Sequence, residues 1–354
     1  MLTDILRWKL TPPARRLPPY MIVFVTYRCN SRCRTCFYSD QITSPESFDL
    51  PLEFYSQVAR SLPRLLWLHL SGGEPFLRKD LPELVAEFYH HSGVRKIGIP
   101  TNCLNGESIL ESTRRILALC PEAQLNIVLS LDGLEETHDF IRGVQGNYQK
   151  TMALLEELKR IRTLHPQLAL NVCTVLNNRN VGEIPELLRH VEGLGVDFHD
   201  VGLLRGDFPD KNMSLPDADE VEKILDLADV HARRYYAANC HYPGASARRA
   251  ARVHQRINRS FLKFLRTGAI VLPCQIGGGG FGVIEPNGDV RLCELTPVVG
   301  NLIEWKGDFS AFWNSAGVRE ARRKGLCPAG ACTHSNFQTR NFLLNPSQWW
   351  HAGL

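Results

Sequence analysis

Short apolar runs alternate with longer amphipathic stretches along the first two hundred residues. Met21–Thr26 (MIVFVT), Leu65–Leu70 (LLWLHL), Lys96–Pro100, Ala123–Leu131 (AQLNIVLSL), Leu168–Val175 and Val196–Leu204 read as six strands. Residues 51–62, 81–91, 107–119, 147–164 and 181–193 carry apolar positions at helical spacing between them. Alternation of this kind predicts βαβ units and a parallel sheet. The expected fold class is α/β: a partial (β/α)6 parallel barrel, with its chemistry at the C-terminal ends of the strands.

Beyond residue 205 the pattern changes. From Pro216 to Gly268 it is helical, and no Asp or Glu occurs between Asp229 and Glu285. Arg248, Arg252, Arg256 and Arg259 share one helical face, and Val253, Ile257, Phe261 and Leu265 another. The plain reading is a solvated basic helix packed on the barrel. The functional readings are an anionic substrate or a membrane surface. A glycine-rich stretch (Gly277–Gly280) leads into Gly282–Glu294, where Asn287-Gly288 signals a hairpin. The expected organisation is an N-terminal extension (1–20), the barrel (21–205), a basic helical linker (206–270), a small C-terminal β-hairpin/helix extension (271–335) and a tail (336–354).

Composition narrows the class. The 354 residues carry 41 Lys plus Arg against 37 Asp plus Glu, and 44% are hydrophobic, so the chain is neither disordered nor fibrous. The modest charge and the lack of a stacking platform argue against nucleic acid. Asp4, Arg7 and Lys9 interrupt any secretory leader, and no run approaches the ~18 apolar residues of a membrane span. A cytoplasmic protein is expected. Leu2–Trp8, Phe342, Leu343, Leu344, Trp349 and Trp350 keep a peripheral membrane association and a lipid-linked substrate in play. Eleven cysteines in such a chain point to metal rather than to bridges.

Cys29, Cys33 and Cys36 form C-x3-C-x2-C directly after the first strand. Three thiolates on one loop can grip one face of an iron–sulfur cube and leave one iron open. Zinc completed by a His or Asp, or three core cysteines, are the alternatives. Ser71-Gly72-Gly73-Glu74-Pro75 follows the second strand: the glycines allow close backbone approach, and Glu74 offers a carboxylate to an ammonium group.

Together these motifs resemble those of radical S-adenosylmethionine (radical SAM) enzymes. The resemblance implies a 4Fe–4S cluster whose open iron is chelated by SAM. It also implies reductive cleavage to a 5′-deoxyadenosyl radical, hydrogen abstraction from an unactivated C–H bond, and an external low-potential electron donor of flavodoxin or ferredoxin type. Thr101-Asn102 and Ser130-Leu131-Asp132-Gly133 resemble the family's T-N-G and S-L-D-G segments, and His138-Asp139 with Arg142 its H-D-x-x-R. The implied SAM contacts are Tyr38, Gly72, Gly73, Glu74, Pro75, Thr101, Asn102, Ser130, Asp132 and Arg142. Asp132 has a second reading, as a cap on the following helix. Thr35 stands where the family often has an aromatic residue, so Phe37 and Tyr38 are expected to cover the cofactor, Tyr38 chiefly through its backbone. Cys103 replaces the glycine of T-N-G and reads as a hydrogen-atom donor or an inert thiol.

Cys274, Cys293, Cys327 and Cys332 make a second, closed group. Their order, and the step from Gly288 to Cys293, resemble the twitch or truncated SPASM extension, implying one auxiliary 4Fe–4S cluster. Zinc is the alternative, and His334 could replace one cysteine. Asn336, where relatives often have a cysteine, argues against a second auxiliary cluster. Cys120, Cys173 and Cys240 read as plain thiols. His199, Asp200 and Arg205 are expected to face the reaction region; no catalytic acid or base is identified. A non-catalytic iron–sulfur adaptor retaining the barrel is the competing class, and the intact three-cysteine loop with G-G-E-P argues against it.

Overall fold

The computed structural model describes residues 2–12, 15–43, 48–62, 64–238, 245–269, 274–275, 279–324 and 335–345. Helix α1 (Leu2–Leu10) precedes strand β1 (Tyr20–Phe24), which is followed by α2 (Ser39–Thr43), α3 (Leu52–Arg60), β2 (Trp67–Ser71) and α4 (Leu81–His91). Next come β3 (Lys96–Thr101), α5 (Gly106–Leu119), β4 (Gln124–Ser130), α6 (Glu135–Arg142), α7 (Asn147–Leu164), β5 (Leu168–Leu176), α8 (Ile184–Gly193) and β6 (Phe198–Leu203). The remainder is α9 (Ala218–Ala238), α10 (Ala245–Thr267), β7 (Phe281–Ile284), β8 (Asp289–Arg291), β9 (Val298–Asn301), α11 (Phe309–Trp313), α12 (Ala316–Lys324) and α13 (Ser335–Leu343).

One sheet runs β6-β5-β4-β3-β2-β1-β7-β8-β9. The first six strands are parallel neighbours, as the βα alternation predicts. The C-terminal unit continues this sheet: β7 lies parallel to β1 with Tyr20 opposite Phe281, and β8 and β9 turn back antiparallel. Burial alternates along β4. Leu125, Ile127 and Leu129 of β4 are buried, whereas Asn126, Val128 and Ser130 face the half-buried concave side. Each buried Leu or Ile contributes about 1.5–3 kcal/mol, so the buried rows anchor the sheet and leave the other rows free for chemistry.

Two expectations change. Ile5 and Trp8 are buried, the Trp8 indole donating to Leu17 O at 2.8 Å, and Phe342 and Leu344 are buried as well. These apolar residues serve the core rather than a membrane; Trp349 and Trp350 lie outside the described residues. In α10, Arg259 pairs with Glu222 and Asp226, and Arg266 with Asp219 and Glu222, all on α9. Arg248, Arg249 and Arg252 stay exposed, on the stretch of α10 before His254, which packs on Phe198 at the start of β6. That is the opposite end of the barrel from the cysteine loop. No helix among the described residues is long and apolar enough to cross a membrane.

Candidate active site

The cysteine loop is held from two sides. On one side, Gly73 N–H donates to Thr26 O at 2.9 Å and Glu74 N–H to Arg28 O at 2.8 Å. The glycine pair exists for this contact. A Cβ on Gly72 (φ +143°) would lie 2.5 Å from Thr26 O, and one on Gly73 would lie 2.3 Å from Arg28 O and 2.9 Å from Cys29 Cβ. On the other side, the last carbonyls of α6, which have no partner within the helix, receive the loop. Arg34 N–H donates to Ile141 O at 2.8 Å, and Ser31 Oγ to Arg142 O at 2.8 Å. Gly143 (φ +67°) ends α6 against Arg32 O, where a Cβ would sit at 2.5 Å.

Polar groups surround the sulfurs. Ser31 N–H lies 3.5 Å and Asn102 Nδ2 3.8 Å from Cys29 Sγ, and the Tyr38 N–H faces the Cys36 sulfur and favours its thiolate. Burial nonetheless pushes the Cys36 thiol up to about 11 and raises Cys29 above its ordinary range, so metal uptake there displaces protons. Arg142 is an interior cation beside the loop, bound to Asp132 at 3.2 Å and with its Nε buried and unpartnered. Three thiols on one loop, ringed by N–H donors and a guanidinium, fit a thiolate-bound cluster carrying net negative charge. No three His, Cys, Asp or Glu side chains among the described residues converge on a single-ion site. A cube that ties each thiolate to a different iron does not require such convergence.

The expected SAM contacts divide. The Glu74 carboxylate is 1% exposed and accepts from Asn102 N–H at 2.7 Å and Phe76 N–H at 3.3 Å; burial raises it to about 7. Its side chain ties the end of β2 to the end of β3. Pro75 is buried at the start of the turn Pro75–Leu77. Thr101 Oγ1 accepts Cys103 N–H at 3.1 Å, and Asn102 is pinned by Asn30 at 2.8 Å and Asn147 at 2.9 Å. Asp132 does not cap α6, whose first residues bond Glu183 instead. It is buried, accepting Val175 N–H at 2.8 Å and pairing with Arg142. Ser130 ends β4, half-buried on the concave face. The Tyr38 ring turns away beneath β1, so only its backbone faces the loop.

Residues 23–191 match the family model described as the radical SAM superfamily. Residues 23–191 form a radical SAM superfamily domain. The chain is 27% identical over 326 residues to the AdoMet-dependent heme synthase of Methanosarcina barkeri, covering 88% of this chain and 87% of that protein. It is 31% identical over 200 residues to the pre-heme d1 synthase of Dinoroseobacter shibae, covering 53% and 44%. The chain spans about half the length of several further curated relatives. Its fold is similar to that of Streptococcus suis SuiB bound to S-adenosylmethionine, with a TM-score of 0.61 at 16% identity over 87% of this chain and 68% of that one. A 4Fe–4S cluster and SAM are the cofactors of this family.

In the radical SAM barrel, Ser130, Cys173 and Asp200 stand in register on β4, β5 and β6, all half-buried. Cys173 thus shares the half-buried row of Ser130 and Asp200, and strand register, invisible in a single segment, is the signal that finds it. His199 faces the other way. Its Nε2 lies 2.8 Å from Thr174 Oγ1, and burial pushes its pKa down to about 3, so it leaves the list of residues facing the reaction. Cys103 is 1% exposed, with its thiol pushed up to about 12 by burial, which fits the inert reading. Its φ of +65° shows why a glycine suits that position. Arg205 stacks on Phe37 (4.7 Å) and pairs with Glu294 at 3.4 Å, closing β6 onto the C-terminal strands. Of the second cysteine group, Cys274 is half-buried and Cys293 buried; Cys327, Cys332 and His334 lie outside the described residues.

Proposed function

We propose that this chain is a radical SAM enzyme acting on an unactivated C–H bond, with a second 4Fe–4S cluster on Cys274, Cys293, Cys327 and Cys332. When bound, the first cluster and SAM supply a 5′-deoxyadenosyl radical. The observation that carries the reading is the docking of the three-cysteine loop between Gly72-Gly73 and the end of α6, with N–H donors around the sulfurs. That construction has no use in an adaptor. Cys29, Cys33 and Cys36 hold the cluster, leaving one iron for SAM. The half-buried edges of Gly72, Gly73, Ser130 and Arg142, backed by Asn102, orient SAM. Glu74, Thr101 and Asp132 hold those edges in place, and Asp200, Cys173 and Arg205 face the substrate.

The match over 88% of this chain to an AdoMet-dependent heme synthase makes a haem precursor the first substrate class to assay. An external low-potential flavodoxin or ferredoxin supplies the electron. The exposed arginines of α10 lie too far from the mouth to select a substrate there and suit an anionic surface, including a membrane. The test is formation of 5′-deoxyadenosine by the iron-loaded, reduced protein; absence of that product in the presence of SAM defeats the reading.

A further inference from the structure

A chain of polar contacts runs from Cys36 to Cys293 through the seam between β1 and β7. The turn Ser39 N–H to Cys36 O (3.3 Å) sets Tyr38 beside Cys36, with its N–H facing that sulfur. The Tyr38 hydroxyl donates to Glu285 Oε2. Glu285 Oε1 accepts Arg291 Nε at 3.0 Å, and Arg291 Nη1 donates to Thr296 O at 2.6 Å. Thr296 Oγ1 accepts Cys293 N–H at 3.1 Å. Tyr38, Glu285, Thr296 and Cys293 are all buried, and the Tyr38 ring lies between Phe24 at 4.5 Å and Tyr27 at 6.0 Å.

Apolar side chains would fill such a seam at least as stably as a Tyr–Glu–Arg series. What the polar series adds is rigidity of one particular N–H relative to one particular sulfur. Hydrogen bonds to ligating sulfurs favour the more negative, reduced state of a cluster and so raise its potential. We propose that Glu285 is a positioning residue for the cluster at the barrel mouth. Through Tyr38 it fixes the N–H facing Cys36, and through Arg291 and Thr296 it ties that ligand to Cys293. The condition of the C-terminal cysteine site thereby sets the reduction potential of the SAM-binding cluster. This rests on the reading that Cys29, Cys33 and Cys36 hold that cluster.

The test is an electron-paramagnetic-resonance redox titration of the reconstituted full chain, following the signal that changes when SAM is added. Tyr38→Phe keeps the ring and removes the hydroxyl; Glu285→Gln keeps the shape and removes the charge. Each is expected to disfavour reduction about tenfold (59 mV for one electron), with iron content unchanged. Thr296→Val, which keeps every cysteine, and Cys293→Ala are expected to shift the midpoint in the same direction. Combined with Glu285→Gln, either shifts it no further than the larger single change. If Glu285→Gln loses iron, Tyr38→Phe decides. A SAM-responsive cluster whose midpoint is unmoved by Tyr38→Phe overturns the proposal alone, and strictly additive shifts overturn the link to Cys293. A wild-type cluster whose signal ignores SAM overturns the functional reading beneath it.

Discussion

Glu74 accepts the backbone N–H of Asn102 at 2.7 Å, so the carboxylate after the glycine pair joins the end of β2 to the end of β3 under the cysteine loop. That tie is buried, and burial gives it a pH signature.

Glu74 is raised by burial from 4.5 to about 7. A raised folded-state pKa means its contribution to stability is fully present below about pH 4.5 and is lost as pH rises through about 7. The loss is on the order of 3 kcal/mol. Comparing thermal melts of metal-free wild type and Glu74→Gln between pH 5 and 8 isolates it from His138. Burial depresses that histidine to about 4, which works in the opposite direction: its stability is present above about 6.5 and lost on acidification. The melting temperature of Glu74→Gln, relative to wild type, rises with pH.

Gly73→Ala forces a Cβ to within 2.3 Å of Arg28 O, and the cysteine loop has to move. The expected cost is about 1–3 kcal/mol, with iron content after reconstitution falling below half of wild type. Gly182→Ala, where nothing lies within 4 Å of the new Cβ, is the control and changes neither reading.

Arg142 and Asp132 form an interior pair at 3.2 Å. Arg142→Ala leaves a buried carboxylate uncompensated, so urea unfolding is expected to show a loss of about 3–5 kcal/mol. Adding Asp132→Asn recovers part of it. Equal or greater loss in the double variant contradicts the pairing.

The paired and unpaired arginines of α10 separate cleanly. Removing charge at Arg248 and Arg252 is expected to weaken co-sedimentation with phosphatidylserine vesicles and leave 5′-deoxyadenosine formation unchanged. Removing it at Arg259 and Arg266, which face Asp219, Glu222 and Asp226, leaves vesicle binding intact.

The six strands, the cysteine loop and G-G-E-P were legible because each is local: a period, a spacing, a glycine pair after an apolar run. What was not legible depends on neighbours distant in sequence. The hydrogen bond from the Asn102 N–H to Glu74 exists only once β3 lies beside β2. Arg142 belongs to a helix of eight residues, too short and too charged to show a period, whose carbonyls take hydrogen bonds from a loop more than a hundred residues upstream. The faces that Cys173 and His199 take are set by register, and a one-residue difference in parity turns a side chain from the half-buried row to the core. The join of β7 to β1 leaves no trace in either segment alone.

The most direct measurement is 5′-deoxyadenosine produced per chain under anaerobic reduction with SAM, alongside iron content. Wild type is predicted to hold about eight irons and to form the product. Cys293→Ser is predicted to retain about four irons and still cleave SAM, whereas Cys36→Ala forms none. Product formation by Cys36→Ala equal to that of wild type, or none by iron-loaded wild type, would contradict the account.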